Sequence, residues 1–189
     1  YDRQRDFILT TSPSMDILIS SNLERLLYLS TGCDAEQTAK LMNQLGTEGH
    51  YTVTPEMKAK MADFCGGFAT EAEDAAAIRE LYDETGYVID THTGVASAVY
   101  QQYKKNTGDE TKTVIASPAS PYKFSRSVMK AISDEKLPED EFAVIDELCR
   151  VSGVEIPKAV EEIRNAQIRH KLECDVQDMK KTVAKILGI

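Results

Sequence analysis

At 189 residues the chain is long enough for one sizeable domain with a proper core. A formal net charge of −9 argues against a nucleic-acid or anionic-membrane surface, since both need clustered Lys and Arg. With 42% hydrophobic and 28% charged residues it reads as an ordinary acidic soluble protein, expected in the cytoplasm.

No stretch approaches the roughly 20 apolar residues of a membrane-crossing helix. Tyr1-Asp2-Arg3-Gln4-Arg5 has neither a Met nor an apolar signal core, so the chain reads as cut from something longer. Cys33, Cys65, Cys149 and Cys174 form no C-x-x-C pair, and His50, His92 and His170 make no metal-ligand spacing with them. Reduced, structural thiols are the natural reading.

Phe7-Ile8-Leu9-Thr10-Thr11-Ser12-Pro13-Ser14 reads as extended. Ile19, Leu23, Leu26 and Ser30 then recur at helical spacing, and Gly32 ends that helix. Asp34 is the cap of a second helix running to about Leu45, with Leu41, Met42 and Leu45 on its buried face. Thr54-Pro55 opens a third, with Thr as cap and Pro in the first turn. Thr70-Glu71-Ala72-Glu73 is a capping-box pattern, and the helix after it carries Ala75, Ile78 and Tyr82 before ending at Gly86.

Tyr87-Val88-Ile89 reads as a short strand or a connection, followed by a helix from about His92 to Lys105. Lys112-Thr113-Val114-Ile115-Ala116 is the clearest strand: short, β-branched and bounded by turn residues. Left without neighbours, its edge predicts pairing with a second copy or cover from the chain's own segments. A helix from Ser125 to Ile132 follows the loop Ser117-Pro118-Ala119-Ser120-Pro121. Beyond Pro138 the pattern is purely helical. Phe142, Ile145, Leu148 and Ser152 share one face, and Pro157 starts a helix with Ile156 and Val160 placed for a hydrophobic staple. Asp175 caps a last helix whose buried stripe is Val176, Met179, Val183 and Ile186. Many helices with few strands predict a helix-rich α/β fold with an incomplete sheet.

Chemistry could sit where a strand runs into a loop and helix, as at Thr113 to Ser125. That loop offers Ser117, Ser120 and Lys123, although Ser-Pro pairs also make a rigid turn without any ligand. Cys65-Gly66-Gly67 before a helix start resembles an anion cradle, but Glu71, Glu73 and Asp74 in the first turn would repel a phosphate, so a tight turn plus cap is favoured. The stretch from Ser12 to Arg25 is dense in polar groups, and Asn22 and Arg25 fall inside the expected helix, where capping is not needed. Arg25 suits a carboxylate or phosphate, or an acidic partner on a solvated face. His92, between two threonines at a helix start, reads as a hydrogen-bonded structural group.

Three segments carry a family resemblance: Thr10-x-Ser12-Pro13-Ser14-Met15-Asp16 through Ser20-Ser21-Asn22-Leu23-Glu24-Arg25-Leu26-Leu27, then Gly86-Tyr87-Val88-Ile89-Asp90-x-His92-Thr93-x-Val95, then Ala119-Ser120-Pro121-Tyr122-Lys123-Phe124. In this order they resemble threonine synthase of the long form, a type II pyridoxal-phosphate enzyme. The resemblance implies that residues 1–133 are the C-terminal part of the cofactor-binding α/β domain and 134–189 a helical extension. It also implies conversion of O-phospho-L-homoserine and water to L-threonine and phosphate. The cofactor's lysine and phosphate cradle would lie upstream, so the upstream part of its own chain is an expected partner, with homo-oligomers possible, and the piece alone is expected to fold without catalysing.

By the same resemblance Asn22, Ser117 and Ser120 are cofactor-binding candidates, and Ser14, Arg25 and Lys123 substrate-binding candidates. Pro118 stands where the family places a threonine near the pyridine nitrogen, and Ser117 or Ser120 would supply that hydroxyl instead. Thr91 and Gly94 stand where the family has Pro and Ala. The alternative is a stand-alone interaction or regulatory domain of the same ancestry.

Overall fold

All 189 residues are described by a computed structural model, in which the chain forms nine α-helices, three short 3-10 turns and a single isolated bridge between Asp2 and His50. Two compact units separate, Tyr1–Glu155 and Ile156–Ile189.

Caps set most helix starts in the first unit. Helix α1 is Leu23–Ser30 and α2 is Ala35–Thr47, whose first turn is closed by Asp34 accepting from Gln37 N. In α3, Pro55–Lys60, the Thr54 hydroxyl accepts from Met57 N. These three helices share one apolar cluster, Leu27, Leu41, Leu45, Tyr51 and Met57.

Helix α4, Glu71–Thr85, opens on a complete capping box between Thr70 and Glu73 and ends on Gly86 in the left-handed region, where a Cβ would be strained. Helix α5, Thr91–Thr107, starts one residue earlier than its spacing predicts because Asp90 takes the cap position. A 3-10 turn, Pro121–Phe124, leads into α6, Ser125–Ile132, the range read from the sequence. Helix α7 is Glu141–Ser152. Helix α4 packs on both α5 and α6, and α6 packs on α7. The buried side chains there are Ile78, Val128, Met129, Ile132, Val144 and Leu148. Arg126 ties the α6–α7 connection down, donating to Pro138 O, Glu139 O and the Glu141 carboxylate.

Three expectations are corrected. Lys112–Ala116 is extended but not a strand; Val114 is 96% exposed. Its β-branched residues favour extended backbone, yet a strand exists only by pairing, and no neighbour lies beside it in this chain. Of the two readings open for Tyr87-Val88-Ile89, the connection is the one found, with Val88 and Ile89 buried as it enters α5. The first helix begins at Leu23, so Ile19 is outside it and Asn22 occupies the cap position rather than the interior.

The third concerns the second unit, which holds α8, Lys158–Arg164, and α9, Met179–Leu187, preceded by the 3-10 turn Val176–Asp178. Asp175 makes no side-chain cap bond there. The stripe Val176, Met179, Val183 and Ile186 is real as a pattern but exposed: at each position half or more of the residue faces solvent. Periodicity marks which face of a helix is apolar; it does not supply the surface that covers it.

Candidate functional site

Residues far apart in sequence converge where the N-termini of α4 and α5 meet the turn Ser12–Asp16. Asp90 is fully buried, and its carboxylate is the acceptor for four donors. Two are the ordinary cap bonds from His92 N at 3.0 Å and Thr93 N at 3.2 Å. The third is the Thr93 hydroxyl and the fourth His92 Nδ1, at 2.9 Å. Thr93 Oγ1 also lies 3.0 Å from Ser117 Oγ, which brings the third segment to the cluster.

The turn is held by both helix starts. Ser14 N donates to His92 Nε2 at 3.2 Å, and Thr91 Oγ1 donates to Thr11 O at 2.9 Å. From α4, Glu71 accepts Thr11 N at 2.9 Å, and Asp74 Oδ2 accepts the Thr11 hydroxyl at 3.4 Å. Asp74 is buried, and its other oxygen, Oδ1, has no hydrogen-bond partner; neither has the buried Ser12 hydroxyl. Burial pushes the Asp74 carboxyl up to about 6, against the Thr11 hydroxyl bond that favours its charge; nearby Asp90 and Glu71 add to the rise. Gly94 lets α5 come this close to α4, since a Cβ there would sit 2.1 Å from Asp74 Oδ1.

Phe124 closes one side of the cluster, its ring centroid 4.9 Å from that of His92. Lys123 Nζ lies 5.4 Å from the same Phe124 ring centroid. A cavity of about 540 Å³ opens beside the turn, between the Phe7-Ile8-Leu9 stretch and the Gly67–Glu71 approach to α4. It touches Met15 and Asp16 but not Ser14, Ser117 or Lys123, so it adjoins the polar cluster without containing it.

Of the six site candidates, Ser14, Ser117 and Lys123 are therefore brought around His92, directly or through Thr93 and Phe124. Ser120 is adjacent in sequence but occupied: its hydroxyl accepts from Tyr122 N as the cap of the 3-10 turn. Asn22 and Arg25 are exposed on α1. Asn22 Oδ1 accepts from Ser20 Oγ, and no hydrogen bond joins Asn22 to the cluster. Arg25 lies on the rim of a separate groove of about 720 Å³ between α1 and α2, with Tyr28 and Met42. Asp90, Thr93 and Asp74 were missed as site residues. An Asp cap followed by His two positions on is a sequence signal for the first of them.

No group of three or more His, Cys, Asp or Glu residues is placed to hold a metal ion. No helix is long and apolar enough to cross a membrane.

Comparison with known proteins adds a lineage. Residues 93–171 match the family model described as threonine synthase, C-terminal. A protein of Macaca fascicularis named threonine synthase-like 1 is 37% identical over 142 residues, which are 74% of this chain and 19% of that protein. The threonine synthase of Schizosaccharomyces pombe is 36% identical over 136 residues, 66% of this chain and 26% of that one. The crystal structure of pyridoxal-phosphate-bound threonine synthase from Brucella melitensis superimposes with a TM-score of 0.61 at 32% identity, over 80% of this chain and 31% of that chain. The chain thus spans about a fifth to a quarter of the length of these curated relatives. Motifs, fold and relatives agree that this chain belongs to the threonine synthase family, whose C-terminal part it matches.

Proposed function

We propose that this chain works as the C-terminal part of a pyridoxal-phosphate-dependent threonine synthase, converting O-phospho-L-homoserine and water to L-threonine and phosphate. The observation that carries the reading is the convergence on His92 of three separate motif segments, through Ser14, through Asp90 and Thr93, and through Ser117 and Phe124. A stand-alone packing motif has no need to bring those loops together.

The residues present fit one wall of a cofactor site. Ser117 is exposed yet anchored through Thr93, so its hydroxyl is held for a ring heteroatom while staying reachable. With the Thr93 proton given to Asp90, Ser117 donates its own to Thr93 and keeps its oxygen as an acceptor for a protonated ring nitrogen, where Pro118 offers no side-chain polar group. Asn22, whose side chain makes no cap bond, and Ser120, whose hydroxyl accepts from Tyr122 N and still has its proton to donate, are the further contacts assigned to the cofactor. When bound, pyridoxal phosphate supplies the electron sink for bond breaking at the substrate's carbons. The chain's own part is to position. Ser14 and the Lys123 ammonium, exposed beside the cluster, suit the phosphate and carboxylate of an anionic amino-acid substrate, while Arg25, the third substrate candidate, faces the separate groove between α1 and α2.

The rest of the site belongs to the upstream part of the longer protein, which supplies the cofactor's lysine and the strands that pair with Lys112–Ala116. That pairing completes an α/β sheet of the type II kind and covers Val114. Borohydride trapping tests the division of labour. The 189-residue chain incubated with pyridoxal phosphate and reduced should give no stoichiometric adduct, and the longer protein should give one, on an upstream lysine. A stoichiometric adduct on Lys123 would overturn it.

A further inference from the structure

The proton on His92 can be placed from its partners. Nε2 faces a backbone N–H, that of Ser14 at 3.2 Å, so Nε2 must be the unprotonated nitrogen. Nδ1, 2.9 Å from Asp90 Oδ2, therefore carries the proton and donates it. Asp90 has no exposure to solvent and serves as acceptor for His92 N, Thr93 N and the Thr93 hydroxyl as well. Its two oxygens offer lone pairs enough for the four donors, two on each. The arrangement has a direction: Asp90 selects the tautomer, the tautomer creates an acceptor at Nε2, and that acceptor grips the turn carrying Ser14.

We propose that Asp90 and His92 are positioning residues, a tautomer lock that fixes the Ser14 turn against the Ser117 loop so that the first faces the substrate and the second the cofactor within one site. The inference rests on the threonine synthase reading for its kinetic consequence, but not for its structural one. Neither side chain takes part in bond making. His92 is 4% exposed, and both its ring nitrogens are already engaged within the protein. The geometry also gives the second residue of α5 a reason to be a histidine rather than any ring that packs against Phe124: Nε2 is the acceptor that the protein supplies to the Ser14 amide.

Three substitutions separate the lock from simple packing. His92→Phe keeps the ring against Phe124 and removes the acceptor. His92→Gln places an amide oxygen at a similar reach and restores it. Asp90→Asn leaves one oxygen for four donors; with its amide nitrogen in the Oδ2 place it gives up the His92 N cap bond and offers an N–H to Nδ1, which moves the imidazole proton to Nε2 and sets donor against donor at Ser14. The first readout needs no activity: nitrogen-detected NMR of this chain, with amide exchange at Ser14. The wild type should show the Nδ1–H tautomer and a protected Ser14 amide. Protection should be lost in His92→Phe and Asp90→Asn and kept in His92→Gln.

The second readout is steady-state kinetics of the longer protein. His92→Phe should raise KM for O-phospho-L-homoserine about tenfold, the weight of one hydrogen bond, while kcat falls less. His92→Gln should recover most of it, and the Asp90→Asn, His92→Phe double variant should be no worse than Asp90→Asn alone, since both act through one bond. An Nε2–H tautomer in the wild type, or a Ser14 amide equally protected in His92→Phe, overturns the proposal. Should the longer protein make no threonine, the functional reading fails while the tautomer and exchange data still decide the lock.

Discussion

Asp74→Asn isolates the energetic cost of the polar junction between α4 and the Ser12 turn. The wild-type carboxyl is buried, one of its oxygens lacks a partner, and its ionisation moves from the ordinary 3.8 up to about 6. Below the ordinary value the group is protonated in both folded and unfolded chains, and it costs nothing. As pH rises toward about 6 the unfolded chain releases the proton while the folded chain retains it, so stability falls across that window and then levels off. The interval corresponds to at most about 3 kcal/mol, at about 1.4 kcal/mol per tenfold in proton affinity. Half-exposed Thr11 keeps one oxygen near water, and about 2 kcal/mol is the expected value. Asn carries no charge and can turn its amide toward the unpartnered Ser12 hydroxyl. Urea unfolding followed by circular dichroism from pH 4 to pH 8 should therefore give two curves that diverge with pH. The variant should be more stable than wild type by about 2 kcal/mol at pH 7, with the gap closing toward pH 4. A constant gap, or a variant less stable at pH 7, would refute the reasoning, because either result means Asp74 is not destabilised by burial.

Gly94→Ala should destabilise the chain by about 1–2 kcal/mol, because the new Cβ meets Asp74 Oδ1 at 2.1 Å and Ile78 Cγ1 at 2.8 Å, outweighing Ala's better helix propensity. Urea unfolding in an Asp74→Ala background should show a smaller cost, since part of the obstruction is gone. Arg126→Met should cost about 1–3 kcal/mol, because two carbonyls of the α6–α7 connection and the Glu141 carboxylate lose their donor. Its signature is faster amide exchange confined to residues near Pro138–Glu141, and uniform exchange would contradict the local role.

Local chemistry made the helices of the first unit legible. Thr70 with Glu73, Asp34, Thr54-Pro55 and Gly86 each specify a helix end through one or two bonds made within a few residues. The extended segment at Lys112–Ala116 shows the limit: its composition states a preference for extended backbone, and only a neighbouring strand turns that preference into a sheet. The stripe on α9 fails for the related reason that its covering surface is not within its own helix. The site was legible in pieces. Ser14, Asp90-x-His92-Thr93 and Ser117 stand in motifs visible along the chain, whereas the bond from Ser14 to His92 spans 78 residues and is a product of tertiary folding alone. Arg25 was grouped with them because it shares a motif with Ser14, but α1 turns it toward a different groove.

The central claim is most directly tested by turnover. The longer protein containing this chain, loaded with pyridoxal phosphate and given O-phospho-L-homoserine, should release L-threonine and inorganic phosphate in equal amounts, and the 189-residue chain alone should release neither. A folded, cofactor-loaded longer protein that leaves O-phospho-L-homoserine unchanged, or that releases phosphate without threonine, would contradict the account.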